Sequence, residues 1–443
     1  MSLFKPQLSQ LNAGTSWLIL SHCFNMDGRA ASQVITRKIP LLMARGIVPL
    51  VVSAPMGERA TLHPHIQAFA VGPGALRFDA RHLIHQRWGR GFIYKLFTPL
   101  ISLVLAPLIV IERLLFGLQN HASWTVSAVV VGWRLIRQHK PAVIYSTGGA
   151  YSAHWAGFWL KRFTGVPWIA EIHDPMILPG QVLNDRNTRR LAKTEALICQ
   201  HADQAWWLTR AALDSAVRRH PELAPGGFWV HSGASAPAAS TPPPPPPARR
   251  TDIFHVAHFG SLSTHRNLGA FAQALGLLIQ KHPALREYIV VDLFGSDLDA
   301  LGRTQAAQAG VADLFKFGGR LAHQAVFAAM AQADALLLIH GTTQACSEYI
   351  PAKTFEYLWA HRPILGCTFK NPELDQLILE RNGYVAAADD PAQIARALEK
   401  AYFDWRHDAW HPSTTPPIDV ASGMAKIFDR LAHVLPQALP PRQ

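Results

Sequence analysis

The apolar residues of this 443-residue chain fall into short runs, each followed by Gly or polar turn residues and then by a longer stretch with helical spacing. In the first half SWLILSH (16–22), IVPLVVS (47–53), AVIYST (142–147) and PWIAEIH (167–173) read as buried strands. A helix ending near Arg45 joins the first two, and AYSAHWAGFWLKRF joins the last two. In the second half FHVAHFG (254–260), EYIVVDLFG (287–295), LFKFGG (314–319) and ADALLLIH (333–340) follow the same rhythm. Strands that alternate with helices predict a parallel α/β architecture in each half. Between them lies SGASAPAASTPPPPPPARRTD (232–252), whose six consecutive prolines, 242–247, favour an extended polyproline conformation that no core element can cross. The expected division is residues 1–235, a linker over 236–252, a second domain over 253–415, and a terminal helix and tail over 416–443.

One segment departs from this rhythm. Residues 96–111, LFTPLISLVLAPLIVI, run sixteen positions without a charge. A spanning helix needs roughly 20 such residues, and two prolines sit inside this run, so it is not expected to cross a bilayer. Arg77, Arg81, Arg87, Arg90 and Lys95 precede it with only Asp79 opposing them. A basic segment beside an apolar one reads as a surface that dips into an anionic bilayer face. The competing expectation is a buried helical hairpin covering the first sheet.

Composition narrows the class. Hydrophobic residues make up 49% and charged residues only 16%, which excludes a disordered chain. The formal charge of +12 favours an anionic partner. Nucleic acid is not expected, because the basic residues stand beside an apolar run and not among aromatics arranged for base stacking. The four cysteines are scattered with no C-x-x-C pair, as in a reduced, cytoplasmic protein. No stretch near the start has the length of a signal-peptide core, so export is not expected.

The most informative stretch is EYIPAKTFEYLWAHRPIL (348–365), which follows the strand ADALLLIH and a polar loop. Pro351 suits the first turn of a helix, where its fixed φ and missing N–H cost nothing. That helix would present free backbone N–H groups near residues 352–354 at the carboxyl end of the sheet, where anions are stabilised. Glu348 would stand in the preceding loop and Glu356 about 7.5 Å along the helix, at about 1.5 Å per residue. Carboxylates accept hydrogen bonds from sugar hydroxyls, so phosphate on the helix end between two carboxylates suits a nucleotide sugar. Two solvated glutamates on an ordinary helix are the alternative.

The E-x7-E spacing of Glu348 and Glu356, set within IPAKTFEYLWAHRPIL, resembles the donor-site motif of retaining GT-B glycosyltransferases of the family 4 type. The resemblance implies two Rossmann-like parallel-sheet domains facing across a cleft, a nucleotide diphosphate sugar donor, and transfer with retention to a lipid-linked or glycan acceptor. It implies that Glu356 holds the ribose and Glu348 the transferred sugar, with Lys353 and Gly260 also at the donor. FGSLSTHRN (259–267) resembles the family's phosphate loop, with a departure. Ser261 stands where an Arg is frequent, which leaves Arg266 as the candidate phosphate clamp. GVPWIAEIHDPM (165–176) is similar to the family strand whose end carries catalytic groups, here His173 and Asp174. The loop with Asp27, Gly28 and Arg29 resembles the family's first glycine loop, Gly28 allowing backbone to approach phosphate or acceptor. Gly148 and Gly149, after AVIYST, form either a second cleft-edge turn or a plain strand-to-helix turn.

Asp297-Leu298-Asp299 spells the D-x-D of metal-dependent transferases, but its place inside a second GT-B domain argues against that role. No metal and no cofactor are expected, and the helix end with Arg266 would neutralise the diphosphate. A non-catalytic nucleotide-sugar-binding or scaffold subunit of the same fold is the competing functional expectation. In either case the expected place is the inner face of the membrane.

Overall fold

A computed structural model describes residues 14–26, 29–89, 91–116, 122–148, 151–237, 252–321 and 323–441. Gly28, with Asp27, Arg90, Gly149 and most of the proline-rich linker, lies outside the described residues. The chain divides into two compact units, residues 1–231 with 420–443, and residues 232–419.

The first unit carries seven strands: β1 (Ser16–Leu20), β2 (Val48–Ser53), β3 (His65–Gln67), β4 (Val143–Gly148), β5 (Trp168–Ile172), β6 (Gln204–Trp207) and β7 (Gly227–Trp229). They form one sheet in the order β3-β2-β1-β4-β5-β6-β7, every pair parallel. Its helices are α1 (Ala30–Thr36), α2 (Ile39–Ala44), α3 (Pro73–Trp88), α4 (Phe92–Phe116), α5 (Trp124–His139), α6 (Tyr151–Thr164), α7 (Arg186–His201) and α8 (Arg210–Arg219). The second unit has β8 (Phe254–Phe259), β9 (Ile289–Phe294), β10 (Phe315–Gly319), β11 (Ala335–Ile339), β12 (Ile364–Thr368) and β13 (Tyr384–Ala387) in the parallel order β10-β9-β8-β11-β12-β13. Helices α9 (Gly269–Lys281), α10 (Ala300–Gln308), α11 (His323–Gln332), α12 (Ala352–Trp359), α13 (Pro372–Leu379) and α14 (Pro391–Arg406) flank it. In each sheet the chain order reverses beside the first strand, between β1 and β4 and between β8 and β11, and the carboxyl ends of such strand pairs are where open α/β sheets bind ligands.

Three expectations change. The helix foreseen up to Arg45 is two short helices, because Pro40 starts α2 and Lys38 turns inward between them, buried. Residues 416–443 do not stand apart: α15 (Val420–Val434) buries Val420, Met424, Ile427 and Leu431 in the first unit, and Trp17 Nε1 donates to Ala438 O at 2.6 Å. The apolar run is not a buried hairpin. It belongs to α4, a continuous 25-residue helix through Pro99 and Pro107, with Leu100, Leu103, Val104 and Leu108 exposed.

Candidate functional site

The site forms where β8 and β11 end. After β8 the chain turns at Gly260, whose φ of +120° lies in the region glycine favours, and a Cβ there would meet Lys353 Nζ at 2.6 Å. Glycine therefore makes room for Lys353, whose ammonium donates to Phe259 O at 2.6 Å. Ser296 Oγ donates to Gly260 O at 2.8 Å, fixing the turn from the β9 side. Residues 263–266 close a tight turn by paired backbone bonds, and Arg266 folds back to donate to Ser261 O at 3.0 Å and Ser261 Oγ at 3.3 Å. Ser261, the departure from the family pattern, thus holds the remaining arginine.

After β11, Gly341 turns with φ +97°, and a Cβ there would meet His265 O at 2.7 Å, so the two loops touch through backbone. A short 3₁₀ turn, Gln344–Glu348, buries Glu348. Asn371 anchors this loop. Its Nδ2 donates to Cys346 O at 2.7 Å and Tyr349 O at 2.9 Å, while its Oδ1 caps α13 by accepting from Leu374 N. Helix α12 begins at Ala352, one residue after Pro351, and no side chain caps it. Its first N–H groups are those of a helix start that an anion can satisfy. Glu356 lies one turn beyond Lys353 on α12, close enough for its charge to favour the ammonium.

The basic groups here are under electrostatic pressure. Burial first, and then the Arg266 guanidinium, push the Lys353 ammonium from 10.5 down to about 7, against the pull of Glu356. Burial likewise pushes His258 to about 3, assisted by Lys353, and His340 to about 4, assisted by Arg266. Both imidazoles are therefore neutral, with tautomers set by carbonyls: His258 Nδ1 donates to Leu337 O at 3.0 Å and His340 Nε2 to Tyr349 O at 3.0 Å. The opposite ring nitrogens, and Thr354 Oγ1 on α12, are buried with no partner among the described residues. The site thus gathers anion-binding donors on Lys353, Arg266 and the α12 start, beside the buried, neutral His258 and His340. His258, His340, Thr354 and Asn371 were not singled out from the sequence. Only the position of each histidine at a strand's carboxyl end could have flagged two of them. A cavity of about 280 Å³ lined by His265, Asn267, Thr342 and Asp389 adjoins these loops. A larger one, about 1080 Å³, opens beside Asp334 and Arg362 at the strands' amino ends, with neither Lys353 nor Arg266 in its lining.

In the first unit the strand-end histidine is held from below. Strand register sets Glu171 opposite Thr147 on one side and Trp206 on the other. The Glu171 carboxylate is fully buried, paired with Lys38, and accepts from Tyr145 OH and Thr147 Oγ1 at 2.5 Å and from Trp206 Nε1 at 3.2 Å. Burial alone would raise its pKa, but Lys38 and the His173 ring outweigh burial and hold it well below the usual carboxylate range. Burial and the Glu171 charge push the Tyr145 phenol well above its ordinary value. His173 Nε2 lies 3.0 Å from Thr147 Oγ1 and 3.4 Å from Glu171, whereas Nδ1 is buried without a partner among the described residues. His173 is thus less open than a side chain projecting freely from a strand end, and Asp174 is exposed. Sequence reasoning missed the Lys38–Glu171 pair. A glutamate inside an otherwise apolar strand was the available signal, since buried charge needs a partner.

The Asp297–Asp299 motif is structural. Asp299 caps α10, accepting from Gly302 N at 2.8 Å and also from Leu268 N at 2.8 Å, and Asp297 faces Arg303 at 3.6 Å. Among the described residues no group of three or more His, Cys, Asp or Glu is placed to hold a metal ion.

No protein-family model matches the sequence, and no curated protein sequence matches it. Solved structures do resemble the fold. A sucrose-phosphate synthase from Thermosynechococcus elongatus superposes with a TM-score of 0.60 at 13% identity, over 95% of this chain and 99% of that one. WaaG, a glycosyltransferase involved in lipopolysaccharide biosynthesis, gives 0.57 at 15% identity, over 94% and 99%. A UDP-forming α,α-trehalose-phosphate synthase from Burkholderia xenovorans gives 0.57 at 14%, over 96% of each chain. The chain has the GT-B fold of these glycosyltransferases, two α/β units with parallel sheets of seven and six strands.

Proposed function

We propose that the protein is a retaining glycosyltransferase of the family 4 type, moving a sugar from a nucleotide diphosphate donor to a lipid-linked or glycan acceptor. The observation that carries this reading is the β8–β11 edge. There a lysine stripped of much of its basicity, an arginine and an uncapped helix start meet. Lys353, Arg266 and the α12 amides take the diphosphate, Gly260 giving them room. Glu356 takes the ribose and Glu348 the transferred sugar. His173 and Asp174 of the first unit, which receives the acceptor, serve the sugar and the acceptor hydroxyl. Catalysis is chiefly positioning and stabilisation of the departing diphosphate, with cationic side chains in place of a metal ion. The structural neighbours, a UDP-forming synthase among them, support a nucleotide sugar as donor. The exposed apolar side of α4 supports work at the cytoplasmic face of the membrane.

The test is turnover. Purified protein given a panel of labelled nucleotide sugars and a membrane extract should transfer label to lipid or glycan and release the nucleoside diphosphate. Tight binding of a nucleotide sugar with no transfer or release under any combination would replace this reading by the scaffold subunit.

A further inference from the structure

Helix α4 is divided lengthwise into two chemically distinct sides. At about 100° per residue, its exposed apolar side chains, from Ala106 through Phe92, Leu103, Leu100 and Val104 to Leu108, fan across about 200° of the circumference. Phe92, Leu103 and Leu114 are 78%, 73% and 73% exposed. The polar side chains Tyr94, Lys95, Thr98, Ser102, Glu112 and Arg113 all fall in the remaining arc. That arc faces α3. Gly74 N donates to Glu112 Oε2 at 2.9 Å near one end, and Arg81 lies within 3.4 Å of Tyr94 OH near the other. The helices therefore run antiparallel, side by side, over no more than the sixteen residues of α3, about 24 Å.

This pairing decides how a bilayer can receive α4. If α4 crossed the membrane, α3 would be carried into hydrocarbon with it, and with α3 would go Arg77, Asp79, Arg81 and His82. Each ionised group would cost several kcal/mol at the bilayer centre by the lower estimates. By length and composition alone residues 92–114 could cross a bilayer, so the pairing with α3, not length, is what opposes spanning. A helix lying flat does not meet this obstacle. Lys95 and Arg113 stand at one edge of the apolar arc, eighteen residues apart, where both can reach headgroups at the same level. Trp88 and Phe92, exposed at the α3–α4 turn, suit the interface itself.

We infer that α4 is an in-plane membrane helix, sunk by its apolar arc to the acyl boundary of an anionic leaflet and held beneath α3, without spanning. This rests on the membrane-face reading above and adds depth and orientation. Arg81, Arg87, Lys95 and Arg113 supply the complementary charge, all exposed along this hairpin.

Depth measurement tests it on the full chain. In a Cys23→Ala background, Leu96→Cys, Leu103→Cys and Leu114→Cys carry an environment-sensitive fluorophore, and the protein is added to vesicles of phosphatidylcholine with phosphatidylglycerol. Lipids bearing a doxyl quencher near the headgroup or near the chain end report depth. The in-plane helix gives the same shallow profile for all three labels, and binding weakens when phosphatidylglycerol is omitted. A deep Leu103 label between two shallow ones would mean spanning and would overturn the orientation while leaving membrane association intact. No recovery with either vesicle overturns both, as does self-association that shields the labels and competes with vesicles, which would assign the arc to a second copy of the chain. Nucleotide binding measured on the same samples reports the donor site independently of these outcomes.

Discussion

Lys353 offers a sharp test, because burial and Arg266 hold it in a state that the proposed ligand should reverse. Its pKa falls from 10.5 to about 7, a cost to the ammonium of at most about 5 kcal/mol at about 1.4 kcal/mol per pH unit, lowered by the water that reaches a half-buried group. A diphosphate beside it favours the ammonium and raises the pKa toward its ordinary value. The sign follows from linkage. Below pH 7 Lys353 is charged whether or not ligand is bound and adds no pH dependence. Above pH 7 the free protein has lost a proton that the complex must recover, so affinity falls as pH rises, by about tenfold per pH unit up to the pKa of the complex. Calorimetric titration with a nucleoside diphosphate at pH 8, in buffers of differing ionisation enthalpy, should register uptake of close to one proton per ligand bound. Lys353→Gln should bind more weakly at pH 7 and lose both the uptake and the slope. Affinity independent of pH between 7 and 9 in the unaltered protein, or the same slope in Lys353→Gln, would refute the reasoning.

Other perturbations address the remaining assignments. Glu171→Gln leaves Lys38 charged and buried, and breaking such a pair costs about 3–5 kcal/mol; denaturant titration should show that loss, and Lys38→Met added to Glu171→Gln should restore much of it. His173→Ala should reduce transfer with little change in nucleotide affinity and a lowered unfolding midpoint, since the ring bonds Thr147 and supports the Glu171 charge; full activity would return His173 to a packing role. Asp299→Ala should cost about 1 kcal/mol as a lost helix cap and Asp297→Asn almost nothing, with neither changing the response of transfer to chelator; a chelator effect abolished by either variant would give the motif back its metal.

Of the strands read from the sequence, β1, β2, β4, β5, β8 and β11 were legible because parallel strands buried on both faces are apolar runs ended by turns, whereas β9 and the edge strand β10, exposed after Phe315, showed themselves as apolar residues before a glycine turn. β6, QAWW, and β7 are too short and too mixed to separate from helix by periodicity, and β12 and β13 follow so closely on α12 and α13 that their runs merge with the helices. The path of α4 through Pro99 and Pro107 overrides a local rule, since proline removes a helical hydrogen bond, and the Thr98 and Ser102 hydroxyls bond back to carbonyls one turn earlier in the same stretch. At the site, Glu348, Lys353, Glu356, Gly260 and Arg266 were visible as a motif, and the structure gathers Gly260, Lys353 and Arg266 around the β8 turn. What stayed hidden depends on pairing between distant segments. His258 lies on β8 and His340 just after β11, and Lys38 meets Glu171 only once the α1–α2 junction has folded onto the sheet. Such partners are set by register and packing, which no local pattern encodes.

The central claim, a nucleotide diphosphate sugar held at the β8–β11 edge of the second unit, is tested most directly by thermal-shift and calorimetric titration with UDP, GDP, ADP and their common sugar conjugates, Glu356→Ala alongside. Binding to the native state alone stabilises it by mass action, so modest affinity is visible. The account predicts selective stabilisation by one nucleotide series, weakened by about tenfold or more in Glu356→Ala as a charged hydrogen bond to ribose is lost. No stabilisation by any nucleotide, or equal affinity in Glu356→Ala, would contradict it.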